Sequence, residues 1–213
     1  MFKKLFAAIL TVGVLGFAGA AQAQEAADAF VKRISQEVLE TAKADKDIQS
    51  GNQQKILEVV QAKILPNVDF QRMTSLAAGR YWREATPDQQ KRLTEELRDL
   101  LVYTYAGAIA QIRDQQLEFK PMRNDPADTD VEVRSQVVQQ RGEPIQLNYR
   151  LSKSGNTWKI YDLNVLGAWL VETYKGNFAS EIGKGGIDGL IKTLAERNKR
   201  LAAGGIAKSG NRS

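Results

Sequence analysis

The spacing of apolar residues changes from helical to alternating near Gln115 and back again after Val165, and that double change confines the chain to a mixed fold. From Ala26 to about Lys43, Ala27, Phe30, Val31, Ile34 and Val38 fall on one helical face. Ser50-Gly51-Asn52 reads as a turn. Ile56, Leu57, Val60 and Ile64 mark a second helix that Pro66 ends, because proline disfavours helical geometry in the residue before it. Phe70 to Gly79 suits a short third helix. In Thr86-Pro87-Asp88-Gln89, Thr86 can cap a helix, Pro87 fits its first position and Gln89 can complete a capping box. The stripe that follows, Leu93, Leu97, Leu100, Leu101, Tyr105, Ala108, Ile109 and Ile112, predicts a spine of about seven turns.

Leu117 and Phe119 open a strand, and Asn124-Asp125-Pro126 turns the chain. Val131, Val133, Ser135 and Val137 alternate with Glu132, Arg134 and Gln136. After a turn at Arg141-Gly142, Ile145, Leu147, Tyr149 and Leu151 alternate with Gln146, Asn148, Arg150 and Ser152. Ser154-Gly155-Asn156 is a hairpin loop, and Trp158 to Val165 is the last strand. Trp158, Ile160, Tyr161, Leu163 and Val165 put apolar groups on both sides of it, which predicts a central or covered position. Two helices follow, with stripes Val171, Tyr174, Phe178, Ile182 and Ile187, Leu190, Ile191, Leu194, Leu201, and Gly204-Gly205 stops the second. The expected fold is α+β, with helices packed on a curved antiparallel four-stranded sheet. Such a sheet around a long helix encloses either a filled core or a hollow, and periodicity is compatible with both.

At the N-terminus Lys3 and Lys4 precede an apolar run from Leu5 to Ala20, and Ala21-Gln22-Ala23 has the small-x-small form of a cleavage site. The run is short for a bilayer span, which takes ~20 apolar residues, and Gly13, Gly16 and Gly19 weaken it further. A cleaved signal peptide over residues 1–23 is expected, with export to the periplasm, one domain over 24–203 and a disordered tail over 204–213. Loss of Lys3 and Lys4 reduces the formal net charge from +5 to +3. The remaining basic residues are interspersed with acids, so weak attraction to anionic membranes is plausible and nucleic-acid binding is not supported.

Cysteine and histidine are both absent. The chain must hold together by core packing without disulfides. It offers no imidazole or thiolate for a triad or a zinc site. Carboxylate pairs, Ser-Lys dyads and Tyr-Asp pairs remain formally open. The pair to nominate is Asp162 beside Tyr161, although strand alternation would place these neighbours on opposite faces.

Several stretches, taken in order, resemble the MlaC, or toluene-tolerance, family of periplasmic phospholipid-binding proteins. They are Ile64-Leu65-Pro66-Asn67-Val68-Asp69-Phe70, the run from Gly79-Arg80-Tyr81-Trp82-Arg83 to Gln89, Trp158-Lys159-Ile160-Tyr161-Asp162, Thr173-Tyr174-Lys175-Gly176-Asn177-Phe178, and Gly186-Ile187-Asp188-Gly189-Leu190. The resemblance spans essentially the whole mature chain and departs at Ala168-Trp169, where relatives carry a smaller pair. It implies a cystatin-like, nuclear-transport-factor-like cone with extra helices. It also implies a carrier, not an enzyme, that moves phospholipid between inner and outer membranes and keeps outer-membrane asymmetry. The implied partners are an inner-membrane lipid ABC transporter complex and an outer-membrane lipoprotein–porin complex, with phospholipid as cargo, no cofactor, no metal and a monomeric chain. Between the long helix and the sheet, candidate tail-binding residues are Leu101, Tyr105, Ile109, Val133, Val137, Leu147 and Tyr149, with Trp169 and Tyr174 at the mouth. Ordinary core packing accounts for each of them equally well. Arg80, Arg83 and Arg134 are candidates for the headgroup vicinity, and each is also explained as a solvated surface arginine. The competing readings are an enzyme of the same cone fold acting on a hydrophobic substrate, and a periplasmic chaperone for lipoprotein acyl chains or peptides.

Export sets the first test. N-terminal sequencing of the exported protein should begin at Gln24; retention of Lys3 and Lys4 would mean that the apolar run is kept as an anchor.

Overall fold

The computed structural model describes residues 25–205 except 123, 124, 126 and 141. The expected signal segment, much of the 204–213 tail and parts of the turns at Asn124-Asp125-Pro126 and Arg141-Gly142 lie outside the described residues. Helix α1 (Ala27–Ala44) buries Ala27, Phe30, Val31, Ile34 and Ala42 along one face. The short α2 (Lys46–Gln49) is capped by Asp45, whose carboxylate accepts from the amides of Asp47 and Ile48. Asn52 caps α3 (Gln53–Val59), which widens into a π-helical turn at Val60–Ile64 and tightens at Leu65–Asn67, around the proline expected to end it. Asp69 caps α4 (Phe70–Ala78).

The capping box forms as the sequence indicates. The Thr86 hydroxyl accepts from the Gln89 amide at 3.2 Å, and the Gln89 side chain accepts from the Thr86 amide at 3.0 Å. Helix α5 (Pro87–Tyr105) is shorter than the stripe predicts, because the chain tightens to three residues per turn over Ala106–Gln111. Gly107 weakens the α-helix there, and Ala106, Gly107, Ile109 and Ala110 pack at close quarters.

Among the described residues the sheet has five strands rather than four: β1 (Gln116–Phe119), β2 (Asp130–Val138), β3 (Ile145–Ser154), β4 (Thr157–Val165) and β5 (Ala168–Trp169). Each is antiparallel to the next in an open meander. The fifth strand escaped notice because two residues carry no period. A bulge at Arg150/Leu151 shifts the β3–β4 register, so that Leu151 pairs with Ile160 while Arg150 pairs with Asp162. Strand β4 is covered as expected, yet its outer face buries Asp162 and Asn164 rather than apolar groups. Helix α6 (Leu170–Gly204) is two helices joined at Gly185 and Gly186, and Gly186 sits at φ 68°, ψ −172°, a region open only to glycine.

Three apolar clusters follow among the described residues. The helical cluster joins α4, α5 and both arms of α6 through Met73, Leu93, Leu97, Leu100, Tyr174, Phe178, Leu190 and Ile191. The sheet cluster sets Phe30, Val31 and Ile34 of α1 against Val131, Val133, Leu151, Trp158 and Ile160. The third joins Ala42, Ile48, Ile56, Val59 and Val60 to Ala106 and Ile109. Val68 and Leu163 touch both the helical and the sheet cluster. Val68 also forms a parallel bridge with Ile160, and the Asp69 amide donates to the Ile160 carbonyl at 2.8 Å.

Removing the cap tests this assembly. Thr86→Ala should cost about 1 kcal/mol and lower Tm by roughly 2–4 °C in calorimetry, with the far-UV circular dichroism otherwise unchanged.

Candidate functional site

The inner face of the sheet is a ladder of apolar side chains set by strand alternation. Val131, Val133, Ser135 and Val137 of β2 pair with Leu151, Tyr149, Leu147 and Ile145 of β3, and Tyr149 and Leu147 pair in turn with Leu163 and Val165 of β4. Helix α1 covers one end of this ladder, where Val133 and Leu151 have 0% exposure. Toward the other end cover thins, and Val137, Ile145, Leu147 and Val165 are only half-buried. Its own C-terminal half carries α1 onward from the sheet into the third cluster, with Lys43 Nζ donating to the Gln115 carbonyl just ahead of β1. There too the margin is apolar and half-buried, at Val38, Ile64, Leu65, Val102, Tyr103 and Ile112. An apolar seam between sheet and helices is thus fully covered at one end and only half-covered at the other.

Polar atoms within the seam are already engaged. The Tyr149 hydroxyl hydrogen-bonds Ser35 of α1 and Ser135 of β2, and burial pushes its pKa up. The Ser135 hydroxyl also donates to the Leu147 carbonyl at 2.5 Å. Among the described residues no cluster of three acidic, histidine or cysteine side chains could hold a metal ion. What the seam can do chemically is exclude water from hydrocarbon.

The structure brings Val133, Val137, Leu147 and Tyr149 together on this face and sets Ile109 in the adjoining third cluster. It places the other tail and mouth candidates elsewhere. Leu101 packs in the helical cluster, because the α5 stripe of Leu93, Leu97, Leu100 and Leu101 faces α4 and α6 rather than the sheet. Tyr105 is 40% exposed and turned to α6, its hydroxyl bonded to that of Tyr174 near Arg197. Tyr174 lines a cleft of 270 Å³ between α5 and the two arms of α6, floored by Leu100, Phe178, Leu190 and Leu194, and not the mouth of the seam. Trp169 pairs with Asn164 and so points to the outer face, where the Arg150 guanidinium lies 3.8 Å over its ring.

Of the arginines, Arg134 is exposed on that outer, polar face. Arg80 and Arg83 are exposed in the turn after α4, Arg80 lying over the Tyr81 ring and donating to its hydroxyl at 2.9 Å. Arg134 is thus on the face opposite the half-buried ladder residues, and Arg80 and Arg83 lie on the segment between α4 and α5. Asp162 is 1% exposed and serves as a joint: it accepts from the amides of Val171 (3.0 Å) and Leu163 (2.9 Å) and from Arg150 (3.3 Å). Burial raises its pKa despite those donors. The bulge leaves Tyr161 outside the pairing, so simple alternation does not govern it. Its hydroxyl bonds Asp130 and Arg72 stacks on its ring at 3.8 Å, so it makes no dyad with Asp162.

Sequence reasoning missed Ser35, Leu65, Val102 and Tyr103 on the seam, although Val38 was visible in the α1 stripe. Ile64, Ile112, Ile145 and Val165 were visible in their stripes, but nothing in a stripe reveals that its margin stays open.

Helices laid over one apolar face of an open antiparallel meander, with the buried Tyr149 and Ser135 hydroxyls already hydrogen-bonded, define an α+β fold. The family model described as MlaC protein matches residues 32–196. The chain belongs to the MlaC family. It is 26% identical over 172 residues to the intermembrane phospholipid transport system binding protein MlaC of Haemophilus influenzae, covering 75% of this chain and 80% of that one. It is also 26% identical over 165 residues to toluene tolerance protein ttg2D of Pseudomonas putida, covering 77% and 76%. A solved phospholipid-binding protein from Ralstonia solanacearum, in complex with a phospholipid, superposes with a TM-score of 0.78 at 49% identity, covering 83% of this chain and 98% of that one.

Burial raises the Tyr174 pKa from 10 to about 12. Between those values the unfolded chain has lost this proton while the folded chain keeps it, so stability must fall as pH rises. At pH 11 the loss attributable to Tyr174 is roughly 1 kcal/mol. Urea midpoints measured from pH 9 to 11 should therefore drop less for Tyr174→Phe than for the unaltered protein; equal slopes would mean that the hydroxyl is not sequestered.

Proposed function

We propose that this protein is a periplasmic phospholipid carrier that shelters acyl chains in the seam between sheet and helices and shuttles lipid between the inner and outer membranes. The observation that carries the reading is the apolar ladder left half-buried at Val137, Ile145, Leu147 and Val165. A folded chain ordinarily covers such a surface, and hydrocarbon is the occupant it suits. The phospholipid complex of the Ralstonia solanacearum relative supports the same reading.

The energetics explain why a carrier takes this form. At ~0.8 kcal/mol per buried CH₂, two acyl chains of ordinary length cost on the order of 20 kcal/mol to expose to water. Shelter must come from volume and dryness, and the bilayer is equally apolar, so loading and unloading can stay nearly balanced. Satisfied polar atoms such as the Tyr149 hydroxyl add no strong point of recognition for the tails. With Arg80, Arg83 and Arg134 away from the ladder, headgroup recognition is loose. The tail residues we propose are Val137 and Leu147 at the half-buried end, with Val133, Tyr149 and Ile109 walling the covered part. Delivery would involve an inner-membrane lipid ABC transporter and an outer-membrane lipoprotein–porin complex, and the traffic would maintain outer-membrane lipid asymmetry. Among the described residues no helix is long and apolar enough to cross a membrane, which accords with a shuttle.

The test is solvent extraction of the purified protein followed by mass spectrometry. Stoichiometric diacyl phospholipid is expected. Leu147→Trp, which fills the half-covered part of the ladder, should lower the bound lipid several-fold while circular dichroism and Tm stay close to the parent. Acyl peptide in place of phospholipid would favour a lipoprotein chaperone, and lipid occupancy unchanged by Leu147→Trp would remove that residue from the site.

A further inference from the structure

The turn between β4 and β5 breaks two rules at once. Both of its central residues, Leu166 and Gly167, have positive φ, 54° and 87°. Two-residue hairpins of this kind favour Asn-Gly, because a residue with a branched apolar side chain enters the left-handed region at a cost. Leu166 is moreover 74% exposed, the most exposed large apolar side chain among the described residues. The turn is otherwise well formed. The Leu166 amide donates to the Gln146 carbonyl at 3.2 Å, and the Gly167 amide donates to the Asn164 side chain at 3.1 Å. An asparagine in place of Leu166 would serve the backbone better and hydrate better, so nothing in folding explains the leucine.

Its position does suggest an explanation. Leu166 follows Val165, which pairs with Leu147, so it projects from the end of the sheet where the apolar ladder is least covered. Behind it on the outer face stands Trp169, half-buried, with Arg150 stacked on its ring. Arg134 occupies the same cross-strand row as Trp169, through Asn148 and Asn164. Glu132 offsets part of that positive charge, and the carboxylate of Asp162 is buried against Arg150. An apolar tip backed by a tryptophan and flanking arginines is the arrangement that settles in the interface of a bilayer, with the leucine among acyl chains, the indole at headgroup depth and guanidinium groups toward lipid phosphates.

We propose that the β4–β5 turn is the element by which the protein touches a lipid bilayer surface, with Leu166 as the inserted residue. The inference rests on the carrier reading, since it gives the open end of the seam a membrane to face, but it is tested separately. In sedimentation with protein-free vesicles of mixed phosphatidylethanolamine and phosphatidylglycerol at low salt, the purified protein should bind, and added salt should weaken the binding. Leu166→Asn keeps the turn and should bind about tenfold more weakly, while its co-purified phospholipid matches that of the parent. Equal binding by parent and variant would overturn the proposal, as would failure of the parent to bind. If the parent sediments with native membranes but not with protein-free vesicles, a membrane protein is the partner and the proposal also falls. In each of those cases retained cargo leaves the carrier reading standing, whereas protein that binds vesicles but carries no lipid refutes the carrier and not the contact.

Discussion

The structure depends on how the apolar face of one meander is covered. An antiparallel sheet with a single apolar face needs a partner for it, and here the N-terminal half of α1 supplies that partner for only part of the ladder. Phe30, Val31 and Ile34 seal the end formed by Val131, Leu151 and Ile160. The C-terminal half of the same helix turns to Ile56, Val59 and Val60 instead. One helix is thus divided between two clusters, and the far end of the ladder is left half-buried.

The outer face does a different job. Asp162, buried beneath the start of α6, accepts amide hydrogens of Leu163 and Val171, and Arg150 bridges it to Trp169. Trp169, as the residue preceding α6, offers no capping oxygen of its own, so the neighbouring strand provides one. A charge buried at that junction fixes where the helical cluster sits relative to the sheet. The polar interior of the outer face is therefore a matter of assembly, while the inner face is apolar. This division makes sense of a chain without histidine or cysteine whose family is described by phospholipid transport.

Some of this was legible in the sequence, residue by residue. Thr86 and Gln89 announced their capping box because every atom involved lies within four residues. The strands from Val131 to Val165 announced themselves by period, whereas the pairing of Val133 with Tyr149 and Ser135 with Leu147 came from the structure. Of the site, Val133, Val137, Leu147 and Tyr149 were legible as one inward-facing set. Leu101, Tyr105, Trp169 and Tyr174 were not, since the α5 stripe packs on α4 and α6 rather than on the sheet, Tyr105 and Tyr174 meet between α5 and α6, and Trp169 pairs with Asn164 on the outer face.

By itself the sequence determined most of the elements, the Thr86 capping box, the apolar faces and the exclusion of imidazole and thiol chemistry, all properties that local spacing and composition carry. Tertiary structure decided which face meets which, that Asp162 joins β4 to the start of α6, and that one end of the ladder is only half-covered. The reason is that periodicity orients a side chain only about the axis of its own helix or strand. Whether that direction leads to a neighbour, to solvent or into a seam depends on the relative placement of elements far apart in the chain.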